Sequence, residues 1–342
     1  MTSSKILREI AFHESITSIN TRSAIQGWNE FDNDFIAATT IEGKLHLIEC
    51  ENVRKAQELC PNFRVRTYPL NFDITACSLS QGSYSTFLIG DSIGRVHRYD
   101  PLTESRPESF TVSFEGQHIQ HISTTLRRGE ITSVIDGSSN LYLYESREMK
   151  YLEKIPGKFA AGAVGFGENC ILSATHSSAI YVFDIRRTKS ALLKLNTEDL
   201  VTCISEPIMS RDGTPQSHSV AVGTVGGRCF SFRSESTVSG AASHIPNRCF
   251  VPSMRSNRKD ITAVNIVPDE LITCGDSAGC FSVIDLRSGS LQYLNSEIPN
   301  ALKDDETVEI VTLGGGKFND TAFVTAHVSE GGKSVIRIAT IS

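Results

Sequence analysis

The sequence has 342 residues, with 33 Lys and Arg against 39 Asp and Glu, and its formal net charge of −6 speaks against holding nucleic acid by bulk attraction to phosphate. No stretch of about 18 apolar residues is present, so no membrane span is expected, and the opening MTSSKILREIAFHE lacks the apolar core of a leader peptide. Nine cysteines, odd in number and without Cys-x-x-Cys pairs, suggest neither a disulfide frame nor a zinc site.

The first element is a strand over Ile6 to Phe12, alternating apolar and polar, with no partner close in sequence. A recurring unit follows: a short apolar strand, a tight turn, and a second alternating strand. It ends at Glu49 (TTIEGKLHLIE), Asp100 (GDSIGRVHRYD), Glu145 (DGSSNLYLYE), Asp184 (THSSAIYVFD), Arg233 (GTVGGRCFSFR) and Asp285 (GDSAGCFSVID). A degenerate copy, SEGGKSVIRIA, ends at Ala339. Two strands and a turn returning every roughly 40–50 residues predict the blades of a propeller.

Each unit takes one strand before it and one after it. Blade one reads ITSINTR, DFIAATT, KLHLIE and FRVRTYPL; blade two reads ITACSL, STFLIG, RVHRYD and SFTVSF. Blade three reads IQHISTT, ITSVID, LYLYES and YLEKI; blade four reads AGAVGFG, CILSATH, IYVFDI and ALLKLN. Blade five reads VTCISE, SVAVGT, CFSFRS and a strand around RCFVPS; blade six reads ITAVNIV, ELITCG, CFSVIDL and SLQYLN. β-branched and aromatic residues dominate these segments, and Gly, Asn, Asp and Ser occupy the turns. Cys77, Cys170, Cys203, Cys229, Cys274 and Cys280 fall on strands, where a reduced thiol serves as a small apolar side chain, as in cytosol or nucleus.

The last unit supplies only TVEIVTL, TAFVTAH and SVIRIATI. Completion of that blade by Ile6 to Phe12 is therefore expected. The result is an all-β, seven-bladed propeller, residues 1–342 as one domain, with the N-terminal strand closing the last blade and leaving no open edge. Two stretches break the rhythm: Asn52 to Pro61 is charged and reads as a helical turn, and Arg233 to His244 reads as a surface loop.

Asp91, His176, Asp276 and His327 follow the second strands of four different blades. Convergence at the channel rim would make a catalytic or metal site. Turn capping is the expected role, since four separate blades do not resemble a compact ligand set. Neither catalysis nor a cofactor is expected. Gly314-Gly315-Gly316-Lys317 lacks Walker spacing and a following Ser or Thr, so a hairpin turn is expected there. Gly162, Gly165 and Gly167 imitate a dinucleotide fingerprint without the helix it needs. Arg127-Arg128 and Arg186-Arg187 read as solvated faces.

The unit resembles a WD repeat, with Tyr99-Asp100, Phe183-Asp184 and Ile284-Asp285 at the aromatic-Asp positions. Blade order narrows the resemblance. LITCGDSAGCFSVIDLRSG before the atypical TAFVTAHVSEGG, together with AAGAVGFGENCILSATHSSAIYVFDIR, is similar to the spindle-checkpoint Bub propeller and its messenger-RNA-export (Rae) paralogue. The short lead before the first strand favours the checkpoint member. The resemblance implies a nuclear, non-enzymatic adaptor, a monomeric propeller within complexes, found at kinetochore or nuclear pore and also in cytoplasm. It implies binding of short acidic GLEBS-like segments of checkpoint kinases or a nucleoporin across one face. The export paralogue and a generic WD-repeat scaffold are the alternatives.

The family's blade-five Glu-Gly-Arg-Val turn corresponds to Gly226-Gly227-Arg228-Cys229, and its aromatic-Lys-Cys-His-Arg run to Phe250 through Arg255. Turns after second strands and loops after fourth strands gather on one face of a propeller. Arg228, Arg255, Arg258 and Lys259 are therefore expected to form a positive patch that takes a partner's carboxylates. Val201-Thr202-Cys203-Ile204 stands where the family has Thr-Arg-Cys-Ile, and Glu198 and Asp199 precede it. Those acids oppose phosphopeptide reading, and Lys194 offsets them weakly.

Overall fold

Residues that alternate between two faces and carry branched or aromatic side chains favour a pleated surface that is buried on both sides. The structure is a computed structural model that describes residues 4–22, 34–51, 62–79, 86–103, 105–112, 115–124, 131–166, 169–175, 177–205, 208–209, 218–234, 248–250, 260–267, 271–277, 281–285, 291–293, 308–318, 321–330 and 333–341. These are strands and turns throughout, and no described helix is long and apolar enough to cross a membrane.

After β1 (Ser4–Phe12) come β2 (Ile16–Arg22), β3 (Asp34–Thr40), β4 (Lys44–Glu51) and β5 (Asn62–Pro69), which pair in that order as one sheet. The second sheet is β6 (Ile74–Leu79), β7 (Phe87–Asp91), β8 (Arg95–Tyr99) and β9 (Glu108–Thr111). The third is β10 (Ile119–Thr124), β11 (Ile131–Asp136), β12 (Leu141–Glu145) and β13 (Lys150–Ile155). The fourth is β14 (Phe159–Gly165), β15 (Cys170–Thr175), β16 (Ala179–Asp184) and β17 (Leu193–Asn196). The fifth holds β18 (Val201–Ile204), β19 (Ile208–Met209), β20 (His218–Thr224), β21 (Cys229–Ser234) and β22 (Arg248–Phe250). The sixth is β23 (Ile261–Val267), β24 (Leu271–Asp276), β25 (Phe281–Asp285) and β26 (Leu291–Tyr293). In the last, β27 (Val308–Phe318), β28 (Thr321–Glu330) and β29 (Lys333–Ile341) are joined by β1.

β1 runs antiparallel to β29, with Ile10 opposite Ile336 and Phe12 opposite Ser334. The Ser334 hydroxyl then accepts the Ile16 N–H at 3.3 Å, tying this sheet to the next. The first strands of successive sheets touch in sequence, β2 to β6, β6 to β10, β10 to β14, β14 to β18, β18 to β23 and β23 to β27, and β27 returns to β2. The architecture is an all-β propeller. Its core is divided into apolar layers, each between two consecutive sheets. One layer packs Leu88, Val96 and Ile119 with Tyr142, and another packs Leu143, Phe159, Ile171 and Phe183.

Two devices recur around the ring. First, every innermost strand bulges against its neighbour, between Ile16 and Ser18, Ile74 and Ala76, Ile119 and His121, Phe159 and Gly162, Val201 and Cys203, Ile261 and Ala263, and Ile310 and Thr312. A bulge removes a ladder hydrogen bond and re-aims a side chain. Thr17, Thr75 and Thr262 sit in three of these bulges, and their hydroxyls donate to the carbonyls of Thr39, Gly90 and Gly275 at 3.2, 3.2 and 3.4 Å. Second, a residue without a side chain lets the next sheet approach. A Cβ on Gly90 would lie 2.5 Å from Ile119, and one on Gly223 would lie 2.5 Å from Ile261.

Some expectations need correction. Gly314 through Lys317 is no hairpin turn. It belongs to β27, with Gly314 opposite Thr325 and Gly316 opposite Phe323. A long partner strand satisfies the whole run, so pairing overrides the turn preference of glycine. Of the expected strand around RCFVPS, Arg248–Phe250 is described as strand, and the short β19, paired with β20, was not anticipated. Asn52 to Pro61, Arg127-Arg128, His176 and Cys280 lie outside the described residues.

Candidate peptide-binding face

Three turns between second and third strands share one plan: an exposed apolar residue, a glycine, then a cation. They are Ile41-Glu42-Gly43-Lys44, Ser92-Ile93-Gly94-Arg95 and Val225-Gly226-Gly227-Arg228. Gly43, Gly94 and Gly227 have φ of 82°, 83° and 70°, the left-handed region that closes the turn at no steric cost. Backbone hydrogen bonds tie these turns to loops that leave fourth strands. Val225 N–H donates to the Leu200 carbonyl at 2.9 Å, Ile41 N–H to Ser15 at 3.0 Å, and Leu70 N–H to Gly43 at 2.8 Å. Turns and loops thus form one face of the ring. On it Ile41, Ile93, Leu200 and Val225 are exposed by 47, 52, 50 and 40%. Large apolar residues gathered on one exposed face mark an interaction surface.

The turns are capped in two ways. Asp91 and Asp136 end their strands buried, and one carboxylate oxygen of each accepts two turn N–H groups. For Asp91 these are Ile93 at 3.0 Å and Arg95 at 2.8 Å; for Asp136 they are Ser138 at 3.0 Å and Asn140 at 2.9 Å. Burial pushes the Asp91 carboxyl up, but the hydrogen bonds from His97, Arg95 and Ile93 outweigh it and hold it below the usual range. Thr40 and Thr224 use hydroxyls instead, accepting the Lys44 and Arg228 N–H groups at 3.3 and 3.2 Å.

The cations differ accordingly. Lys44 pairs with Glu14, and that hydrogen bond, the largest influence, holds the Glu14 carboxyl low. Arg228 pairs with Glu198, and its Nε lies 3.4 Å from an Asp199 oxygen. Gly226 makes room for this, since a Cβ there would lie 2.2 Å from that same oxygen. Arg95 is exposed, and among the described residues no carboxylate pairs with its guanidinium.

Of the residues expected to bind peptide, Arg228 stands on this face, already engaged by the acids of the adjoining loop. Lys194 lies on β17 with its ammonium 5.6 Å over the Tyr181 ring. Arg255, Arg258 and Lys259 lie outside the described residues. Sequence reasoning passed over Arg95, Lys44 and the apolar turn residues. The signal was present, because each cation follows the turn glycine of the repeated unit.

Asp91 takes part in one further arrangement. His97 Nε2 lies 2.9 Å from Asp91 Oδ2, Nδ1 lies 2.8 Å from the Ser109 hydroxyl, and Phe72 stacks on the ring at 3.8 Å. Serine, histidine and aspartate in line resemble a nucleophile and its base. Here the aspartate holds its own turn, and the first sheet repeats the plan with His46 2.9 Å from Thr67 and 3.7 Å from Glu14. The repetition marks a strut between third and fourth strands. Asp276 is buried at the end of β24, in the place Asp91 takes in β7, and nothing is described of the His327 side chain. Among the described residues no cluster of three or more His, Cys, Asp or Glu side chains is placed to hold a metal. Burial pushes the Cys77 and Cys203 thiols up to about 12 and Cys170 to about 11, so they behave as small apolar groups.

No protein-family model and no curated protein matches this sequence. Among solved structures, the β-propeller domain of Cps50 (Swd1) from Myceliophteria thermophila is similar, with a TM-score of 0.72 over 99% of this chain and 100% of that one, at 14% identity. The chain therefore has a WD-repeat-like β-propeller fold.

Proposed function

We propose that this chain is a seven-bladed propeller, closed by its N-terminal strand, that works as a non-enzymatic, cofactor-free adaptor of the checkpoint Bub type. It is nuclear, and it binds short acidic, GLEBS-like segments of kinase or scaffold partners and recruits them to kinetochores. One observation carries the binding role: exposed Ile41, Ile93, Leu200 and Val225 share a face with Lys44, Arg95 and Arg228. Apolar contact supplies affinity, and cations beside it select carboxylates. The ring contacts of the first strands and the pairing of β1 with β29 support the closed form. Arg95 is the cation best placed for a partner, because Lys44 and Arg228 already have carboxylates.

The test is fluorescence anisotropy with a labelled synthetic GLEBS-type acidic peptide. Wild type should bind it, more tightly at low salt, and Arg95→Glu should weaken binding by about tenfold or more. A peptide that wild type ignores at low salt sinks the reading.

A further inference from the structure

A groove of ≈ 450 Å³ runs between the third and fourth sheets; the β13–β14 loop and the turn after β15 line one end of it, so it opens onto the turn face at blades that carry none of Ile41, Ile93, Val225 and their cations. Its walls are aromatic. Phe159 and Phe183 meet edge-on at 6.0 Å, and Tyr181 stacks on Phe183 at 6.0 Å. Phe159 and Phe183 are buried and anchored in the apolar layer between the two sheets, while Tyr181 is half-buried and faces the opening. The loop from β13 to β14 lies along the Phe159 ring because Gly157 has φ of 144° and no side chain; a Cβ there would come within 2.8 Å of the ring. The walls are therefore formed before any partner arrives, which lowers the ordering cost of binding.

Among the described residues, the charged side chains that line this groove are of one sign: Lys158 and Lys189 line it, and no carboxylate does. Lys158 donates to the Ser138 carbonyl at 2.6 Å and the Asn140 side-chain oxygen at 3.3 Å, both neutral acceptors. Lys194 adds a third ammonium over the Tyr181 ring. None of the three is paired with a carboxylate among the described residues. A cationic, aromatic groove on a chain of net charge −6 is a local departure from the surface average.

We propose that this groove is a second docking site, for an extended partner segment in which an aromatic or aliphatic residue is flanked by carboxylates. The apolar residue enters between Phe159, Tyr181 and Phe183, and the carboxylates reach Lys158 and Lys189 at the two ends, with Lys194 over the middle. The proposal rests on the adaptor reading and adds to it a location and a partner chemistry.

A displayed library of random peptides, selected on wild-type protein and counter-selected on a Lys158→Glu/Lys189→Glu double variant, tests it. The expected survivors carry carboxylates on both sides of an aromatic or aliphatic residue, bind wild type about tenfold or more tighter than the variant, and weaken as salt is raised. Lys189→Glu/Lys194→Glu provides the same comparison without touching the Lys158 contacts, should the first variant melt early. Acidic peptides that bind wild type and both variants alike overturn the groove but leave the adaptor reading standing. Before the counter-selection step, a selection on wild type alone that yields no acidic binder at all overturns both. Survivors selective for wild type yet lacking carboxylates overturn the proposed partner chemistry.

Discussion

The turn after β7 and the turn after β20 follow nearly the same backbone path, yet different chemistry holds them. In the first, a buried aspartate spends one oxygen on two turn N–H groups and the other on His97. In the second, a threonine hydroxyl does the capping, and the negative charge comes from Glu198 and Asp199 in the neighbouring loop. Where the carboxylate sits inside the turn, the cation that follows, Arg95, faces outward without a carboxylate among the described residues. Where the turn is capped by a neutral group, the cation that follows, Arg228, is neutralised from outside. Cap chemistry and the availability of the next cation to a partner therefore differ together, so equal cations in a repeated unit are not equivalent sites.

The largest expected effect separates the two caps directly. Asp91→Ala removes the oxygen that accepts two turn N–H groups and leaves buried His97 without its carboxylate, which should cost about 2–4 kcal/mol. Thr224→Ala should cost about 1 kcal/mol. Urea unfolding measures both, and equal costs would dissolve the distinction. Next come the glycines that precede the two caps. Gly90→Ala and Gly223→Ala push against Ile119 and Ile261 and should each cost about 1–3 kcal/mol, a similar loss in both turns because the close approach is common to them.

Acid sharpens the contrast further. Burial pushes His121 down to about 4 from an ordinary 6.5, so the unfolded chain takes up this proton first. Its contribution to stability is complete above about pH 6.5 and is lost as pH falls toward about 4. The melting temperature should fall across that window, and less so in His121→Gln. Asp91 has a lowered folded value, so its contribution is present above about pH 3.9 and is lost as pH falls through that lower value. Asp91→Asn should therefore blunt the acid limb, and Thr224→Ala should leave it unchanged. The smallest effect concerns the cations themselves. Arg228→Glu places a third acid beside Glu198 and Asp199 and should lower stability by up to about 1 kcal/mol, less at high salt, whereas Arg95→Glu should leave the melting temperature in place.

Much of this molecule was legible before any coordinates. The repeated strand, turn and strand unit announces itself, because alternation and turn residues act within a few positions of one another. The GGR of Val225-Gly226-Gly227-Arg228 also pointed to a cation on the turn face. Its neutralisation was half visible, since Glu198 and Asp199 stand out in sequence, but their approach to Arg228 depends on two loops from adjacent sheets. The resemblance singles out blade five, so it points to Arg228 and not to Arg95, although Arg95 holds the equivalent place in its own unit. Gly314 to Lys317 was misread because a glycine run looks like a turn until a ten-residue partner strand is laid beside it.

The sequence by itself determined which segments become strands, where the chain turns, and which turn positions carry aspartate, threonine or a cation, because those preferences arise from period-two alternation and local backbone sterics. The tertiary structure alone decided which cations are neutralised, that every innermost strand bulges at the same level, and that a cationic aromatic groove opens between the third and fourth sheets. Each of these depends on groups brought together from distant parts of the chain, and the Coulomb and packing energies involved fall off over a few ångströms, so spacing along the sequence does not encode them.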